Sequence, residues 1–267
     1  MYPARVPHPP DRREGSGEFG FYPLCPSPRI LFREILVAPL GWRLPMTDPT
    51  VTAFDNPQAD PPVRGFLHRP ASPSEMGLVL THGAGANCQT PLLVALAEAF
   101  CHSGFTVLRC DLPFRQLRPH GPPRNSSSQD QAGLRSAVES LRGLGPTRVF
   151  LGGHSYGGRQ ASMLAASQPG LVEALLLLSY PLHPPRRPDQ LRTQHFTSLQ
   201  TPALFVSGTR DGFGSVDEIA AALTLIPART ELLPVDGAGH ELMKPRNRAT
   251  LPPLIVQAFS SFVASAA

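Results

Sequence analysis

The strongest constraint on the fold is the segment 153–157, Gly-His-Ser-Tyr-Gly, which reads G-x-S-x-G. A β-like run, 147–151, precedes it, and a helix-like run, 159–167, follows it. This spacing predicts a sharp strand-to-helix turn with the hydroxyl of Ser155 held at its apex. Glycines suit the turn because a Cβ at either position would collide with the neighbouring strand or helix.

Two further residue types follow predicted strands later in the chain. The buried-strand pattern of 204–208 leads to Asp211, and that of 231–235 leads to His240. A serine hydroxyl needs a base to become a nucleophile, and imidazole can accept its proton near neutral pH. A carboxylate can hold the imidazole tautomer and stabilise the imidazolium. The sequence therefore predicts Ser155, Asp211 and His240 as the catalytic residues.

Other carboxylates could serve as the third member. Asp217 lies in a predicted helix, 215–225, and fits a role in its first turn. Asp236 precedes His240 in the same loop, which leaves it little room to reach back. We therefore favour Asp211, although an Asp-Gly pair is also common in ordinary turns.

The chain order serine, aspartate, histidine resembles that of the α/β-hydrolase superfamily. The resemblance extends from about Val63 to the C-terminus. In that family two backbone N–H groups bind the oxyanion. One comes from the loop after an earlier strand and the other from the residue after the nucleophile. The resemblance implies Ala84 and Tyr156 for these roles. A phosphate loop is the alternative, but a Walker lysine is missing because Lys244 is the chain's single lysine.

The interval 179–201, where many α/β hydrolases insert a lid, is too short for a helical lid. In this the chain resembles the small dienelactone-hydrolase-like branch. That branch uses cysteine where this chain has Ser155, so its substrate is not carried over. The run 180–185, Tyr-Pro-Leu-His-Pro-Pro, resembles predicted hydrolases related to the α/β-hydrolase-like subunit of a chromatin acetyltransferase complex.

The fold class implied is α/β, with a mostly parallel, doubly wound sheet, helices on both faces and no lid domain. Strand-like and helix-like patterns alternate along the chain, which favours this architecture and places sites at the carboxyl ends of the strands. The remaining predicted strands are 63–68, 105–110 and 172–178, and the remaining helices are 91–103, 129–142 and 251–264.

Residues 1–45 differ from the rest of the chain, since nine of them are proline and apolar periodicity is poor. This composition predicts a disordered extension, with at most a short helix over 30–37. Met46 is then a candidate start of the translated protein, and 46–267 forms the hydrolase domain.

Composition narrows the possible partners. The net charge of +4 is spread along the chain without a basic run, so no nucleic-acid partner is expected. The four cysteines have no metal-ligand spacing, and neither a metal nor a cofactor is expected. No apolar run is long enough to cross a membrane and no secretory signal is recognised, so the expected location is cytoplasmic. The oligomeric state stays open.

Arg159 and His183 are candidate substrate-binding residues, because an arginine fork can hold a carboxylate or phosphate. The alternative is that arginines near the site, including Arg115, pair with local acids and shape the loops. The expected function is a cofactor-independent serine hydrolase that cleaves an ester or similar bond in a small acyl substrate. A non-catalytic binding or scaffold protein with the same fold is the alternative, and a serine peptidase is a third reading.

Overall fold

Nine strands in the described part of the chain form a single sheet. The computed structural model describes residues 29–30, 49–72, 74–124 and 126–265. The strands are β1 (Arg29–Ile30), β2 (Thr50–Asn56), β3 (Val63–Arg69), β4 (Met76–Thr81), β5 (Thr106–Cys110), β6 (Arg148–His154), β7 (Leu175–Leu178), β8 (Ala203–Gly208) and β9 (Thr230–Val235). The α-helices are α1 (Pro91–His102), α2 (Pro113–Leu117), α3 (Ser127–Arg142), α4 (Tyr156–Ser167), α5 (Val216–Leu223) and α6 (Leu251–Ala264).

The strand order is β1-β9-β8-β7-β6-β4-β5-β3-β2. The pairs β2–β3 and β3–β5 are antiparallel, and every other neighbouring pair is parallel. The strands β5, β7 and β8 are buried along their whole length. Such burial is typical of parallel strands covered on both faces, which explains their near-continuous apolar runs. The predicted mostly parallel α/β sheet is confirmed.

Helices cover both faces of the sheet. On one face, α3, α4 and α5 bury Leu134, Leu164 and Ile219 in a common core. On the other face, α1 and α6 bury Leu96 and Phe259 in a second core. Among the helices that the structure describes, none combines the length and the apolarity that a membrane crossing requires.

At the centre of the sheet, the element bounds differ from the sequence prediction. The strand β6 runs to His154, three residues further than predicted, because Gly153 still pairs with β4 and His154 with β7. The helix α4 then begins at Tyr156, immediately after Ser155. The change from strand to helix therefore occurs at one residue.

The segment 179–202, between β7 and β8, contains no α-helix and one 3-10 helix, Phe196–Ser198. Tyr180 anchors the segment: its ring is buried against Phe196 and Phe205, and its hydroxyl donates to the carbonyl of Arg192 at 2.6 Å. The predicted absence of a helical lid is confirmed.

Residues 29–30 lie in a strand, where the sequence predicts disorder or the start of a helix at Ile30. The strand β1 pairs in parallel with Glu231 and Leu232 of β9, which supplies its backbone hydrogen-bond partners. The rest of the predicted extension lies outside the described residues.

Candidate active site

The turn between β6 and α4 holds Ser155 in a strained conformation. Its φ is 52° and its ψ is −116°, in a region that costs a non-glycine residue on the order of 1–3 kcal/mol. Two glycines make the turn possible. A Cβ on Gly153 would lie 2.6 Å from the backbone of Gly157, and one on Gly157 would lie 2.5 Å from the carbonyl oxygen of His82. The G-x-S-x-G spacing thus reflects close backbone contacts on both sides of Ser155.

The three predicted catalytic side chains form one hydrogen-bonded chain. The Nε2 atom of His240 lies 2.8 Å from Ser155 Oγ. Its Nδ1 atom lies 3.0 and 2.9 Å from the two carboxylate oxygens of Asp211. Because an ionised carboxylate only accepts hydrogen bonds, Nδ1 carries the proton and Nε2 is free to accept from the serine hydroxyl. This arrangement can move a proton from Ser155 to His240.

Asp211 and His240 are held in place by further contacts. The Asp211 side chain is 2% exposed and the His240 side chain 19% exposed. The N–H of Phe213 donates to Asp211 Oδ1 at 2.9 Å, and the Phe213 ring stacks on the imidazole of His240 at 4.1 Å. These contacts fix the imidazole plane towards Ser155.

The alternative carboxylates have other surroundings. Asp217 lies in the first turn of α5, as predicted. Asp236 accepts a hydrogen bond from Thr209 at 3.4 Å. Neither forms an ion pair with His240 among the described residues, so the structure brings Asp211 to the imidazole.

The predicted oxyanion donors line the same cavity as Ser155. The N–H groups of Ala84 and Tyr156 donate to no backbone acceptor in the part of the chain that the structure describes. The carbonyl of Gly83, in the same peptide unit as the Ala84 N–H, accepts from His82 Nδ1 at 2.8 Å and from the Ala86 N–H at 3.1 Å. Since the two groups of a trans peptide point in opposite directions, these bonds aim the Ala84 N–H to the other side.

His82 is neutral in this arrangement. Its Nδ1 must donate because the Gly83 carbonyl only accepts, and its Nε2 must accept because the Leu112 N–H, 3.1 Å away, only donates. Burial lowers the pKa of His82 below its usual value, which favours the same neutral form.

The cavity at Ser155 has a volume of about 1040 Å³, at the upper end of the usual range for small-molecule sites. His240, Phe213 and Arg159 line it, whereas His183 does not. The Nδ1 atom of His183 is hydrogen-bonded to the carbonyl of Pro184. The structure therefore brings Arg159 to the site and leaves His183 outside its lining.

Comparison with known proteins gives the family. A family model described as "Alpha/beta hydrolase domain" matches residues 74–263. The chain belongs to the alpha/beta hydrolase family. No arrangement of three or more His, Cys, Asp or Glu side chains that could hold a metal ion occurs in the described ranges.

Solved structures of hydrolases share the fold of this chain. Est1E from Butyrivibrio proteoclasticus has a TM-score of 0.64 and 15% identity, covering 80% of this chain and 99% of that one. Dienelactone hydrolase from Anabaena variabilis has a TM-score of 0.63 and 20% identity, covering 81% and 99%. An alpha-beta serine hydrolase homologue from Coxiella burnetii has a TM-score of 0.62 and 18% identity, covering 78% and 96%. The expected likeness to dienelactone hydrolases is confirmed for the fold.

Two side chains orient the backbone of the site. Arg115, for which the alternative was to pair with an acid and shape the loops, forms no ion pair in the described ranges. It is 6% exposed and donates to the loop carbonyls of Ala84 and Ala86 at 2.8 and 2.7 Å. It also donates to two carbonyls of the following loop. His154 is buried and its Nε2 donates to the carbonyl of His240 at 2.8 Å. Both side chains donate to backbone carbonyls. Because every residue has a carbonyl, such contacts leave no recognisable pattern in the sequence.

Proposed function

We propose that this protein is a serine hydrolase that cleaves an ester or a similar acyl bond through an acyl-enzyme on Ser155. The observation that carries the proposal is the hydrogen-bonded chain from Ser155 through His240 to Asp211. It lies in a cavity that can admit a small acyl compound. A scaffold protein would have no need for a buried carboxylate, a base and a strained serine in one line.

In the proposed reaction, Ser155 Oγ attacks the acyl carbonyl while its proton moves to His240 Nε2. The Ala84 and Tyr156 N–H groups stabilise the oxyanion, and Asp211 stabilises the imidazolium. The tetrahedral intermediate collapses, and His240 gives its proton to the departing alcohol. Water then attacks the acyl-enzyme by the same route, which releases the acid and restores the Ser155 hydroxyl.

We also predict that the chain is related to the α/β-hydrolase-like subunit of a chromatin acetyltransferase complex and that it is located in the cytoplasm. A small-molecule acyl substrate is the partner that the proposed reaction requires.

The proposal is tested by labelling the purified protein with a fluorophosphonate, followed by intact mass and peptide mapping. We expect one adduct, on Ser155, and none on the Ser155→Ala variant. Ser179→Ala is the matched control, because Ser179 also follows a strand, is buried and has a positive φ of 45°. It is hydrogen-bonded to no histidine in the described chain, so its loss should leave the labelling unchanged.

An adduct on Ser155 that Ser179→Ala retains would support an activated serine and justify a screen of ester and thioester substrates. Well-folded protein without an adduct would contradict the proposed mechanism and favour the scaffold alternative. Hydrolysis of an ester by Ser155→Ala at the wild-type rate would also refute the acyl-enzyme on that residue.

A further inference from the structure

Two arginines lie in the cavity that holds Ser155. Arg159 is on α4, four residues after Ser155, and its N–H donates to the Ser155 carbonyl at 3.0 Å. Four residues of α-helix rise by about 6 Å, so Arg159 stands one turn from the serine on the same side of the helix. Arg192 reaches the cavity from the segment between β7 and β8. Both residues therefore line the cavity in which a molecule bound at Ser155 would lie.

Neither arginine has a carboxylate partner among the described residues. The arginines that form ion pairs there are Arg64, Arg148 and Arg229. Arg159 Nε is buried without a hydrogen-bond partner, and Arg192 Nη1 donates to the carbonyl of Pro181 at 3.3 Å.

Arg159 and Arg192 have fewer hydrogen-bond acceptors than the buried Arg115. Arg115 is satisfied by four backbone carbonyls. Glu241 also lines the cavity but forms no ion pair with either cavity arginine in the described chain. A partly buried cation without a compensating charge is costly, which favours the arrival of an anion from outside.

Arg159 places a positive charge close to Arg192 and His195. Burial and the charge of Arg159 lower the pKa of Arg192 below its usual value. The same two causes lower the pKa of His195 to about 4. A bound anion would relieve this repulsion.

The backbone presents Arg192 in a fixed position. The Arg192 N–H donates to the carbonyl of Leu182 at 2.8 Å, and its own carbonyl accepts from the buried Tyr180 hydroxyl at 2.6 Å. Since the loop is held by these bonds, little ordering would be needed when a ligand binds.

We propose that Arg159 and Arg192 bind an anionic group of the substrate, a carboxylate or a phosphate, about one helical turn from the bond that is cleaved. The inference rests on the proposed function and names its substrate class as anionic acyl compounds. Arginine suits this role because its planar fork can donate two parallel hydrogen bonds to either anion.

The first test compares two esters that differ only in charge. Mono-4-nitrophenyl adipate carries a carboxylate, and 4-nitrophenyl methyl adipate is its neutral counterpart. We expect wild-type kcat/KM to be higher for the anionic ester by about 10- to 100-fold, the range of a charge-assisted hydrogen bond. Arg159→Met should remove most of this preference, measured as the ratio of the two kcat/KM values.

Arg187→Met is the matched control, because Arg187 is exposed in the same segment and does not line the cavity. It makes the same change in net charge and should keep the preference. Arg192→Met carries the same expectation as Arg159→Met, and it decides the question if one of the two variants fails to fold. A preference that falls equally in Arg187→Met would show a general charge effect and overturn the proposal.

The second test measures binding without turnover. Ser155→Ala protein is titrated calorimetrically with monomethyl adipate and with butyl phosphate, with and without Arg159→Met. Binding of either anion that weakens about tenfold or more with Arg159→Met supports the site and tells carboxylate from phosphate. If neither binds and the ester preference is also absent, the anion site is refuted. The hydrolase proposal is judged separately by the Ser155 label.

Discussion

His82 offers the sharpest test of how the proposed oxyanion loop is held, because its two ring nitrogens form different hydrogen bonds. Nδ1 donates to the Gly83 carbonyl at 2.8 Å, and Nε2 accepts from the Leu112 N–H at 3.1 Å. An asparagine amide can occupy the position of Nδ1, and a glutamine amide that of Nε2. The variants His82→Asn and His82→Gln therefore each keep one of the two bonds.

We expect His82→Gln to lose mainly activity and His82→Asn to lose mainly stability. In His82→Gln the Gly83 carbonyl keeps only the Ala86 N–H, at 3.1 Å, so the Ala84 N–H loses its alignment. Loss of a whole oxyanion donor costs about 100- to 1,000-fold in kcat, and we expect a fall between about 10-fold and that limit. In His82→Asn the buried Leu112 N–H loses its partner, which destabilises the fold by about 1–3 kcal/mol.

The assay measures kcat and KM on 4-nitrophenyl butyrate and the urea midpoint of each variant. We expect His82→Gln to be the more stable and the less active of the two, with KM close to that of the wild type. If a substitution only reduced the amount of folded protein, kcat and the urea midpoint of that variant would fall together. If His82→Asn is less active than His82→Gln, or if both have wild-type kcat, His82 does not orient the oxyanion peptide.

Two further predictions concern His68 and Gly157. Burial and Arg109, which donates to His68 Nε2 at 2.8 Å, lower the pKa of His68 from 6.5 to about 4. The contribution of neutral His68 to the free energy of unfolding is therefore complete above pH 6.5 and falls by up to about 3 kcal/mol towards pH 4. The urea midpoint of His68→Gln should fall less over this range than that of the wild type. Gly157→Ala places a Cβ 2.6 Å from Thr81 Cγ2, so α4 must shift and kcat/KM should fall by about 100-fold or more. Gly143→Ala, whose Cβ nearest neighbours lie at 3.5 Å, should keep wild-type kcat/KM, and an active Gly157→Ala would contradict the packing argument.

The elements that could be predicted from the sequence are those whose burial leaves a pattern. The strand β8 is buried throughout and reads as an apolar run bounded by turn residues. The bounds of β2 could not be predicted, because this edge strand exposes most of its side chains and shows little alternation. The helix α2 has five residues, too few for a 3.6-residue period to be recognised.

Some residues of the candidate site could likewise be predicted from the sequence, and others could not. Asp211 and His240 could be predicted because each follows a strand directly, and the carboxyl ends of parallel strands meet at one edge of the sheet. Their distances from Ser155 follow from that topology. The particular acceptors of Arg115 could not be predicted, because they are backbone carbonyls, which every residue has. The position of His183 outside the cavity lining could not be predicted, because its segment packs around the buried Tyr180 and no local pattern reports that burial.

Three imidazoles in and next to the β6–α4 turn, those of His82, His154 and His240, differ in how well their surroundings suit a second proton. His82 and His154 are buried, burial lowers the pKa of both, and each donates to a backbone carbonyl. The Nε2 atom of His82 lies 3.4 Å from Asp111 Oδ1 but already accepts from the Leu112 N–H, and burial is the largest influence on the pKa of both rings. His240 is more exposed and donates to the carboxylate of Asp211, which compensates a positive charge. In the proposed reaction these surroundings favour transfer of the Ser155 proton to His240, while burial favours the neutral forms of His82 and His154.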